Sequence, residues 1–213
     1  MHMKKRGILI VISGFSGVGK GTVVKKLVEK YNYSLSISAT TRSPRPGEVD
    51  GKDYFFKSVA DFQNLIDYNG FIEWAQYVEN YYGTPRKFVE DELDAGHNVI
   101  LEIEVQGAMK IKEQYPDAVL IFLTAPDAHS LKNRLEGRGT EDAKVIAKRL
   151  KRAYEETEDM IFYDYLVVND DLETCVDHVN AVILAEGFKT SNNEAYITKT
   201  KTELFDIRKE ILS

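Results

Sequence analysis

Residues 7–22, GILIVISGFSGVGKGT, join an apolar run to a glycine-rich loop and then to a lysine-bearing segment. The run GILIVIS at 7–13 is almost entirely apolar and β-branched, which is typical of a strand buried on both faces of a sheet. The glycines that follow break this strand. Apolar residues then recur at helical spacing over residues 20–31, so we expect a helix packed on the sheet.

The loop GFSGVGKGT at 14–22 has the spacing of a P-loop, and it has the strand before it and the helix after it that this motif requires. Glycines let the backbone N–H groups wrap a phosphate, and the helix N-terminus adds partial positive charge. We expect Lys20 to contact the β- and γ-phosphates of a nucleoside triphosphate. Gly21 takes the place of the usual Ser or Thr, which leaves Thr22 as an uncertain ligand of Mg²⁺. The expected triphosphate-binding residues are Gly14, Ser16, Gly17, Val18, Gly19, Lys20, Gly21 and Thr22. The alternative is a plain glycine-rich turn.

Three further apolar runs predict buried strands at residues 99–103 (VILEI), 119–122 (VLIF) and 165–168 (YLVV). Strands that alternate with helices indicate a parallel sheet with right-handed crossovers. We therefore expect an α/β chain with a three-layer P-loop fold around a parallel central sheet. Its core is expected to comprise residues 1–37, 97–124 and 165–188.

Between residues 38 and 96 the pattern changes to short aromatic strands at 53–56 and 71–78 around a helix at 58–68. This pattern predicts an inserted mixed α+β subdomain. Ser58, with Asp61 three residues later, resembles a capping box, and Pro85 is expected in the first turn of another helix.

Residues 125–164 are charged and helical, with breaks at Gly137 and Gly139 that favour a mobile helical lid. Residues 189–213 form a polar tail that ends in a short amphipathic segment at 204–212. The sequence indicates no role for this tail.

Composition excludes several classes of protein. The single cysteine, Cys175, excludes an internal disulfide, and the scattered histidines argue against a metal site with it. The apolar run at 8–12 is too short to cross a bilayer. A net charge of −6 weighs against a nucleic-acid partner. We therefore expect a cytoplasmic protein with neither a membrane nor a nucleic-acid partner.

A P-loop alone leaves GTPases, ATPases and kinases open, although the chain contains no NKxD segment of the kind with which GTPases read guanine. A second site is indicated by Arg42 and Arg45, three residues apart in a loop rich in proline and glycine. Two planar guanidinium groups can hold a phosphate dianion, and the hydroxyls of Tyr54 and Tyr82 can complete its shell. The alternative is ordinary surface charge.

Five separated segments resemble, in order and spacing, the signatures of the guanylate kinase family. The segments are TTRSPRPGEVDGKDYFF at 40–56, FIEWAQYVENYYGTP at 71–85, ILEIEVQG at 100–107, RLEGRGTE at 134–141 and VVNDD at 167–171. The resemblance covers residues 7–187. It implies a P-loop enzyme that transfers the γ-phosphoryl group of ATP to GMP, with Mg²⁺ accompanying ATP.

The resemblance also implies the roles of individual residues on the GMP side. Family positions that hold the GMP phosphate are matched by Arg42, Arg45, Tyr54 and Tyr82, and positions around the base by Ser38, Glu73, Thr84 and Glu104. A carboxylate at Glu73 can accept hydrogen bonds from both N1–H and N2–H of guanine, which adenine cannot match. From alternation alone, a solvated strand residue is a fair alternative for Glu73.

On the ATP side, the resemblance assigns Arg134, Arg138 and Arg149 to the lid, and Asn169 and Asp170 to the region beside adenine. Alternation places Glu102 and Glu104 on one side at the end of a strand, where carboxylates face the ligand crevice. Glu102 matches the acidic position near magnesium, which we expect it to reach through water. The expected catalytic residues are Lys20, Arg42, Arg138 and Arg149.

Two rival functions remain at this stage. One is a non-catalytic guanylate-kinase-like module that binds proteins through the GMP site, although such modules typically lose the P-loop. The other is a kinase for a different monophosphate, such as AMP or dTMP. The oligomeric state is not predicted.

Overall fold

The computed structural model describes residues 5–77, 79–137 and 143–212. Its strands, in chain order, are β1 (Leu9–Gly14), β2 (Ser34–Leu35), β3 (Ala39–Thr40), β4 (Phe55–Phe56), β5 (Phe71–Tyr77), β6 (Asn80–Pro85), β7 (Val99–Glu102), β8 (Val119–Thr124) and β9 (Tyr165–Val168). Its α-helices are α1 (Lys20–Tyr31), α2 (Val59–Asp67), α3 (Arg86–Asp94), α4 (Val105–Gln114), α5 (Ala128–Glu136), α6 (Ala143–Glu156), α7 (Leu172–Phe188) and α8 (Glu194–Leu212). Short 3₁₀ turns lie at Met160–Phe162 and Thr190–Asn193.

The central sheet is parallel throughout, with the strand order β2-β7-β1-β8-β9. Strand β1 lies in the middle, where Ile10 pairs with Ile100 of β7 on one side and with Val119 of β8 on the other. Every residue of β1 is buried. A strand with neighbours on both edges and helices on both faces has no solvated side, which explains its unbroken apolar sequence.

Successive residues of β1 face two separate parts of the core. Ile10 and Ile12 pack in the cluster that contains residues of α1, α5 and α7. Leu9 and Val11 pack in a second cluster with residues of α3 and α4. Helices therefore cover both faces of the sheet, and the expected three-layer α/β fold is confirmed.

A second sheet, with the strand order β4-β3-β6-β5, is formed by residues 39–85. It is mixed, because β3 pairs parallel with β4 while β6 pairs antiparallel with both β3 and β5. Its own small core contains Phe62 of α2, which stacks on Phe71 with ring centroids 4.4 Å apart. Ser58 is the N-cap of α2, as expected, and its side chain accepts a hydrogen bond from the backbone N–H of Asp61.

Several expected boundaries differ from the structure. The expected strand at 53–56 is reduced to β4, and β5 ends at Tyr77, with residue 78 of the expected strand outside the described residues. Pro85 closes β6 and caps α3 instead of lying in its first turn. The expected break at Gly137 is the C-cap of α5, whereas the one at Gly139 lies outside the described residues.

The C-terminal tail contains a longer helix than its polarity suggested. The expected segment at 204–212 is only the second half of α8, which has 19 residues. No glycine or proline follows Gly187, so nothing breaks the helix, and Lys199 and Glu203 form an i,i+4 pair on it at 3.6 Å. None of the helices in the described part of the chain has the length and apolarity needed to cross a membrane.

We predict that Phe62→Ala destabilises the second sheet by about 3–5 kcal/mol, because a fully buried aromatic ring leaves a cavity when it is removed. Urea unfolding followed by fluorescence measures this directly, since the only tryptophan, Trp74, lies on β5. Tyr68→Ala, at a residue 86% exposed on the end of the same helix, is the control and should leave the midpoint unchanged. Equal midpoints for the two variants would contradict the assignment of this core.

Candidate active site

The glycine-rich loop lies at the carboxyl edge of the central sheet. Strand β1 ends at Gly14, and α1 begins only six residues later at Lys20. Gly19 is the N-cap of α1 with φ of 95°, a left-handed conformation that favours glycine, and no side chain caps the helix. The first turn of α1 therefore presents backbone N–H groups and the positive end of the helix dipole toward the loop.

Lys20 folds back across this loop. Its ammonium group donates a hydrogen bond to the carbonyl oxygen of Gly14 at 2.6 Å and lies 3.5 Å from that of Phe15. The residue is half-buried, and its ammonium group is held beside the loop backbone. This arrangement fits a phosphate site and argues against a plain glycine-rich turn.

Three distant segments support the same loop. The side-chain amide of Asn169 donates to the carbonyl oxygen of Val18 at 2.8 Å, and Arg134 approaches the same oxygen at 3.4 Å. Arg149 of α6 donates to the hydroxyl of Ser16 at 3.0 Å. Arg134 also reaches the backbone oxygen of Asp170 at 3.5 Å. The residues expected around ATP thus meet at the loop, except Arg138, which lies outside the described residues.

Glu102 ends β7 beside the loop. A Cβ atom at Gly21 would lie 3.6 Å from both of its carboxylate oxygens. The Glu102 side chain reaches solvent. Even so, the surrounding protein atoms desolvate its carboxylate, which raises the pKa of Glu102 above the ordinary value, whereas the positive charge of nearby Lys20 lowers that pKa. Thr22 is exposed in the first turn of α1.

The oxygen atoms of Glu102 and Thr22 suit a hard cation such as Mg²⁺, which keeps several waters and takes few protein ligands. No cluster of three or more potential metal-binding residues occurs among the described residues, so a dedicated all-protein cage is absent from that part of the chain. A metal held mainly by water and phosphate oxygens agrees with both observations.

Arg42 is held by a carboxylate that the sequence analysis did not single out. Its guanidinium group donates two hydrogen bonds to Glu48, at 2.9 and 3.0 Å. Both side chains are largely buried, and the hydrogen bonds that Arg42 donates to Glu48 raise the pKa of Arg42. The guanidinium also lies 5.4 Å from the ring centroid of Tyr54 and 5.8 Å from that of Phe56. The loop therefore orients this arginine before any ligand binds.

Tyr82 completes a cluster with Arg42 and Tyr54. The two tyrosine rings are 6.2 Å apart in an edge-to-face arrangement, and Tyr82 is also close enough to Arg42 to raise its pKa slightly. Arg45 joins through its backbone, because its N–H donates to the Glu48 carboxylate at 2.7 Å and its carbonyl oxygen accepts from the Glu48 N–H at 3.0 Å, while the residue itself is exposed. Of the two arginines expected to bind a phosphate, Arg42 is thus at the centre of the cluster, and Arg45 lies at its exposed edge.

Burial raises the pKa of Tyr54, and the charge of Glu102 raises it further. This influence indicates that the cluster of Arg42 and the acidic end of β7 lie within electrostatic range of each other. The acidic end of β7, which lies beside the glycine loop, is therefore near the cluster of Arg42.

Glu73 is buried, with 8% of its surface exposed, so the alternative of a solvated strand residue is wrong. It pairs across the sheet with Thr84, whose hydroxyl donates to the Glu73 carboxylate at 2.8 Å. The usual alternation of buried and exposed residues along a strand fails here, because the pairing register of β5 and β6 shifts between Phe71 and Glu73. Three successive residues of β5 are therefore buried. Burial raises the pKa of Glu73, and Thr84 and Lys110 oppose that rise.

Helix α4 packs directly against this carboxylate. A Cβ atom at Gly107 would lie 3.1 Å from Oε2 of Glu73, closer than ordinary side-chain contacts. Lys110, one turn later, donates to the backbone oxygen of Trp74 at 2.9 Å. Neither residue stands out in the sequence by a motif, although a lone glycine in the first turn of a helix is the signal of a close approach.

The two remaining base-site candidates are placed differently. Ser38 is half-buried just before β3, where its backbone oxygen accepts from Phe55 at 2.9 Å. Glu104 does not continue the strand beside Glu102 as alternation suggested, because β7 ends at Glu102 and Glu104 is the N-cap of α4. Its carboxylate instead pairs with Arg152 of α6 at 3.0 Å.

Comparisons with known proteins agree with this architecture. The family model described as guanylate kinase matches residues 6–186. The guanylate kinase of Caldanaerobacter subterraneus subsp. tengcongensis is 49% identical over 204 residues, which cover 95% of this chain and 99% of that protein. The guanylate kinase of Lactococcus lactis subsp. lactis is 53% identical over 188 residues, which cover 88% and 92% of the two chains.

A solved structure shares the fold. The crystal structure of guanylate kinase from Anaplasma phagocytophilum superposes with a TM-score of 0.73 at 37% identity, covering 88% of this chain and 89% of that one. The family match spans the glycine loop, the Arg42 cluster and the Glu73–Thr84 pair alike. The chain belongs to the guanylate kinase family.

Proposed function

We propose that this chain transfers the γ-phosphoryl group of ATP to GMP, giving ADP and GDP, in the cleft between the glycine loop and the second sheet. The observation that carries the proposal is the buried Glu73 carboxylate, bonded to Thr84, in a chain that also has an intact glycine loop with Lys20 folded across it. Membership of the guanylate kinase family makes the chain a nucleoside-monophosphate kinase.

Guanine is the base that this carboxylate suits. Glu73 accepts hydrogen bonds from N1–H and N2–H of guanine, which satisfy a buried charge that Thr84 satisfies only in part. Thr84 uses its single hydroxyl hydrogen on Glu73, so we assign the contact with guanine O6 to Ser38. We keep Glu104 as a further base contact. Adenine would leave these buried groups unpaired, a mismatch that can cost about 10⁴-fold in kcat/KM.

The phosphate of GMP is assigned to Arg42, Arg45, Tyr54 and Tyr82. Glu48 and the two aromatic rings already hold the guanidinium of Arg42 in one orientation, which reduces the entropy lost on binding. Arg45 is exposed on the same loop and can approach the phosphate from the solvent side. This arrangement anchors the acceptor at its anionic end while Glu73 holds the base.

ATP is assigned to the glycine loop, with Lys20 at the β- and γ-phosphates. Residues Gly14, Ser16, Gly17, Val18, Gly19, Gly21 and Thr22 form its phosphate cradle, Arg134, Arg138 and Arg149 close over it, and Asn169 and Asp170 lie beside adenine. The hydrogen bonds of Arg149 to Ser16 and of Asn169 to Val18 support this assignment. Mg²⁺ is assigned to Glu102 through water, with Thr22 as a second candidate. When bound, it would neutralise charge between the β- and γ-phosphates.

The acceptor oxygen of GMP is already anionic near neutral pH, so the transfer needs no strong general base. Catalysis then consists of bringing two polyanions together against their repulsion and stabilising the charge of the transition state. We assign this role to Lys20, Arg42, Arg138 and Arg149, which come from opposite sides of the cleft. Closure of residues 125–164 as a lid would exclude water and prevent wasteful hydrolysis of ATP.

The roles of the domains, the cellular location and the partners of the chain follow from this assignment. Residues 38–96 are proposed as the GMP-binding subdomain, and residues 1–37, 97–124 and 165–188 as the P-loop core. We place the reaction in the cytoplasm, where a chain with the single buried Cys175 and no disulfide suits the reducing conditions. The proposed partners are ATP and GMP, with neither nucleic acid nor membrane.

A nucleotide panel tests the proposal. With ATP and Mg²⁺, a coupled assay should record ADP formation with GMP and dGMP, and kcat/KM about 10⁴-fold lower with AMP or UMP.

Lys20→Ala should lower turnover at least about 100-fold while GMP still binds in calorimetry, since the acceptor contacts remain. A chain that binds GMP without any turnover would be a non-catalytic module, and activity mainly with AMP would overturn the role of Glu73.

We predict that GMP binding weakens as the pH falls through the raised pKa of Glu73, because a protonated carboxyl group cannot accept both guanine N–H groups. Calorimetric titration of GMP between pH 8 and pH 5, for the native chain and for Glu73→Gln, measures this loss. The phosphate group, with a second pKa of about 6, titrates equally in both, so only the difference between the curves reports Glu73. If the GMP affinities of the native chain and of Glu73→Gln changed with pH in parallel, a titrating carboxylate in the base site would be ruled out.

We predict that Gly107→Ala raises the KM for GMP about tenfold, with little change in kcat or in the KM for ATP, because the added methyl group displaces the Glu73 carboxylate. The matched control is Gly187→Ala in α7, where a Cβ atom would meet no other atom within 4 Å. Steady-state kinetics with each substrate varied in turn separates the two constants. An unchanged KM for GMP in Gly107→Ala would show that the contact has no part in base recognition.

A further inference from the structure

Helix α8 is the one α-helix in the described part of the chain with no buried residue, although it is rich in apolar side chains. It lies beyond residue 186, where the family match ends. Its exposed apolar residues, each 48–77% accessible, are Tyr196, Ile197, Leu204, Phe205, Ile207, Ile211 and Leu212. Seven exposed apolar side chains on one helix indicate an interaction site, since large apolar surface left in water is uncommon in a folded protein.

The apolar residues of α8 follow a heptad repeat. Ile197, Leu204 and Ile211 are spaced by seven residues and occupy the a position, and Thr200 and Ile207 occupy the d position between them. Such spacing places the five side chains in one narrow stripe, which is the pattern of a two-stranded coiled coil. The core-facing helices of the chain, by contrast, bury their apolar residues within the domain.

Charges beside the stripe specify how two such helices pair. In a parallel coiled coil, a g residue faces the e residue five positions later in the partner helix, so Glu203 of one helix faces Arg208 of the other. In an antiparallel pair the g positions face each other, which sets Glu203 and Glu210 of the two helices in repulsion. The sequence of α8 therefore favours the parallel arrangement.

The polar face argues against a membrane as the partner of this helix. Its basic residues are Lys199, Lys201, Arg208 and Lys209, and its acidic residues are Glu194, Glu203, Asp206 and Glu210. These charges balance, whereas helices that lie on anionic membranes carry an excess of lysine and arginine. Balanced charges at fixed heptad positions suit pairing with a helix of the same sequence.

The start of α8 is held at the edge of the domain remote from the proposed active site. Lys5 donates to the backbone oxygen of Gly187 and to the side chain of Asn193, which fixes the turn before the helix. Tyr196 lines a cleft with residues 7–9, at the amino end of β1, whereas the glycine loop follows its carboxyl end. Pairing through α8 therefore leaves the catalytic cleft open.

We propose that α8 pairs with α8 of a second copy of this chain as a parallel, in-register two-stranded coiled coil. A helix of 19 residues is about 28 Å long, which supplies fewer than three full heptads. The association is therefore reversible and depends on protein concentration. This inference concerns assembly and does not rest on the proposed function.

Sedimentation analysis of the full chain across a range of protein concentrations tests the pairing. The native chain should shift from its mass of 24.3 kDa to twice that mass as the concentration rises. Leu204→Ser, at an a position, should weaken dimerisation at least about tenfold, because a buried leucine contact is lost in both chains. Phe205→Ser is the matched control, since Phe205 is similarly exposed but occupies the outer b position.

A monomer at every concentration, or equal loss of the dimer in both serine variants, would overturn the proposal. Equal kcat/KM in native chain and Leu204→Ser would verify that the variant is folded. Far-ultraviolet circular dichroism of the same samples provides a second check of folding.

Cross-linking tests the parallel register. Ile207→Cys places a thiol at a d position, where the two copies meet, so diamide oxidation should link most of the dimer covalently. Thr202→Cys, at the outer f position, should give little linkage, and the native Cys175 is buried and does not interfere. Linkage through residue 202 but not through residue 207 would exclude a parallel in-register pair.

Discussion

The position of β1 in the middle of a parallel sheet is the constraint on which the rest of the structure depends. Parallel pairing with β7 and β8 brings the carboxyl ends of three strands to the same edge. At that edge β1 opens into the glycine loop, and β7 ends in Glu102. The loop, its lysine and an acidic side chain are therefore neighbours because of strand direction alone, before any side-chain contact is made.

The glycine loop and the second sheet rest on opposite electrostatic arrangements. Around the loop, cationic groups from three segments meet backbone oxygens and a hydroxyl, and the carboxylate of Glu102 lies close enough to Lys20 for the lysine to lower its pKa. In the second sheet, Glu73 is a buried carboxylate, and among the residues that the structure describes its one hydrogen-bond donor is the hydroxyl of Thr84. A buried charge with few donors is costly in a folded protein, which makes sense if a ligand supplies the missing ones. Arg42 shows the reverse case, since Glu48 neutralises it within the protein.

Much of the architecture could be predicted from the sequence because its signals are local. Helix α1 and strand β9 begin and end where periodicity placed them, since an amphipathic stripe and an apolar run identify themselves. The expected division of the chain into core, subdomain and lid stays a prediction, as do the roles of the site residues. Arg138 keeps its expected role only as a proposal, because it lies outside the described residues.

The features that sequence reasoning missed depend on pairing between distant segments. The burial of Glu73 follows from a register shift in a sheet, and Gly107 is recognised as important only once α4 is packed against that carboxylate. Glu104 was expected at the end of a strand, yet β7 ends two residues earlier, at Glu102, and Glu104 occupies the N-cap position of α4. The full length of α8 was missed because alternating threonine and lysine were read as polar coil, although no residue there breaks a helix.

A crystal structure of the chain with GMP and a non-hydrolysable ATP analogue tests the central claim most directly. The account predicts the triphosphate in the loop between Gly14 and Lys20, at the carboxyl edge of β1, with the guanine edge on Glu73 and the GMP phosphate on Arg42. Either nucleotide bound away from this edge, or guanine with no hydrogen bond to Glu73, would contradict it.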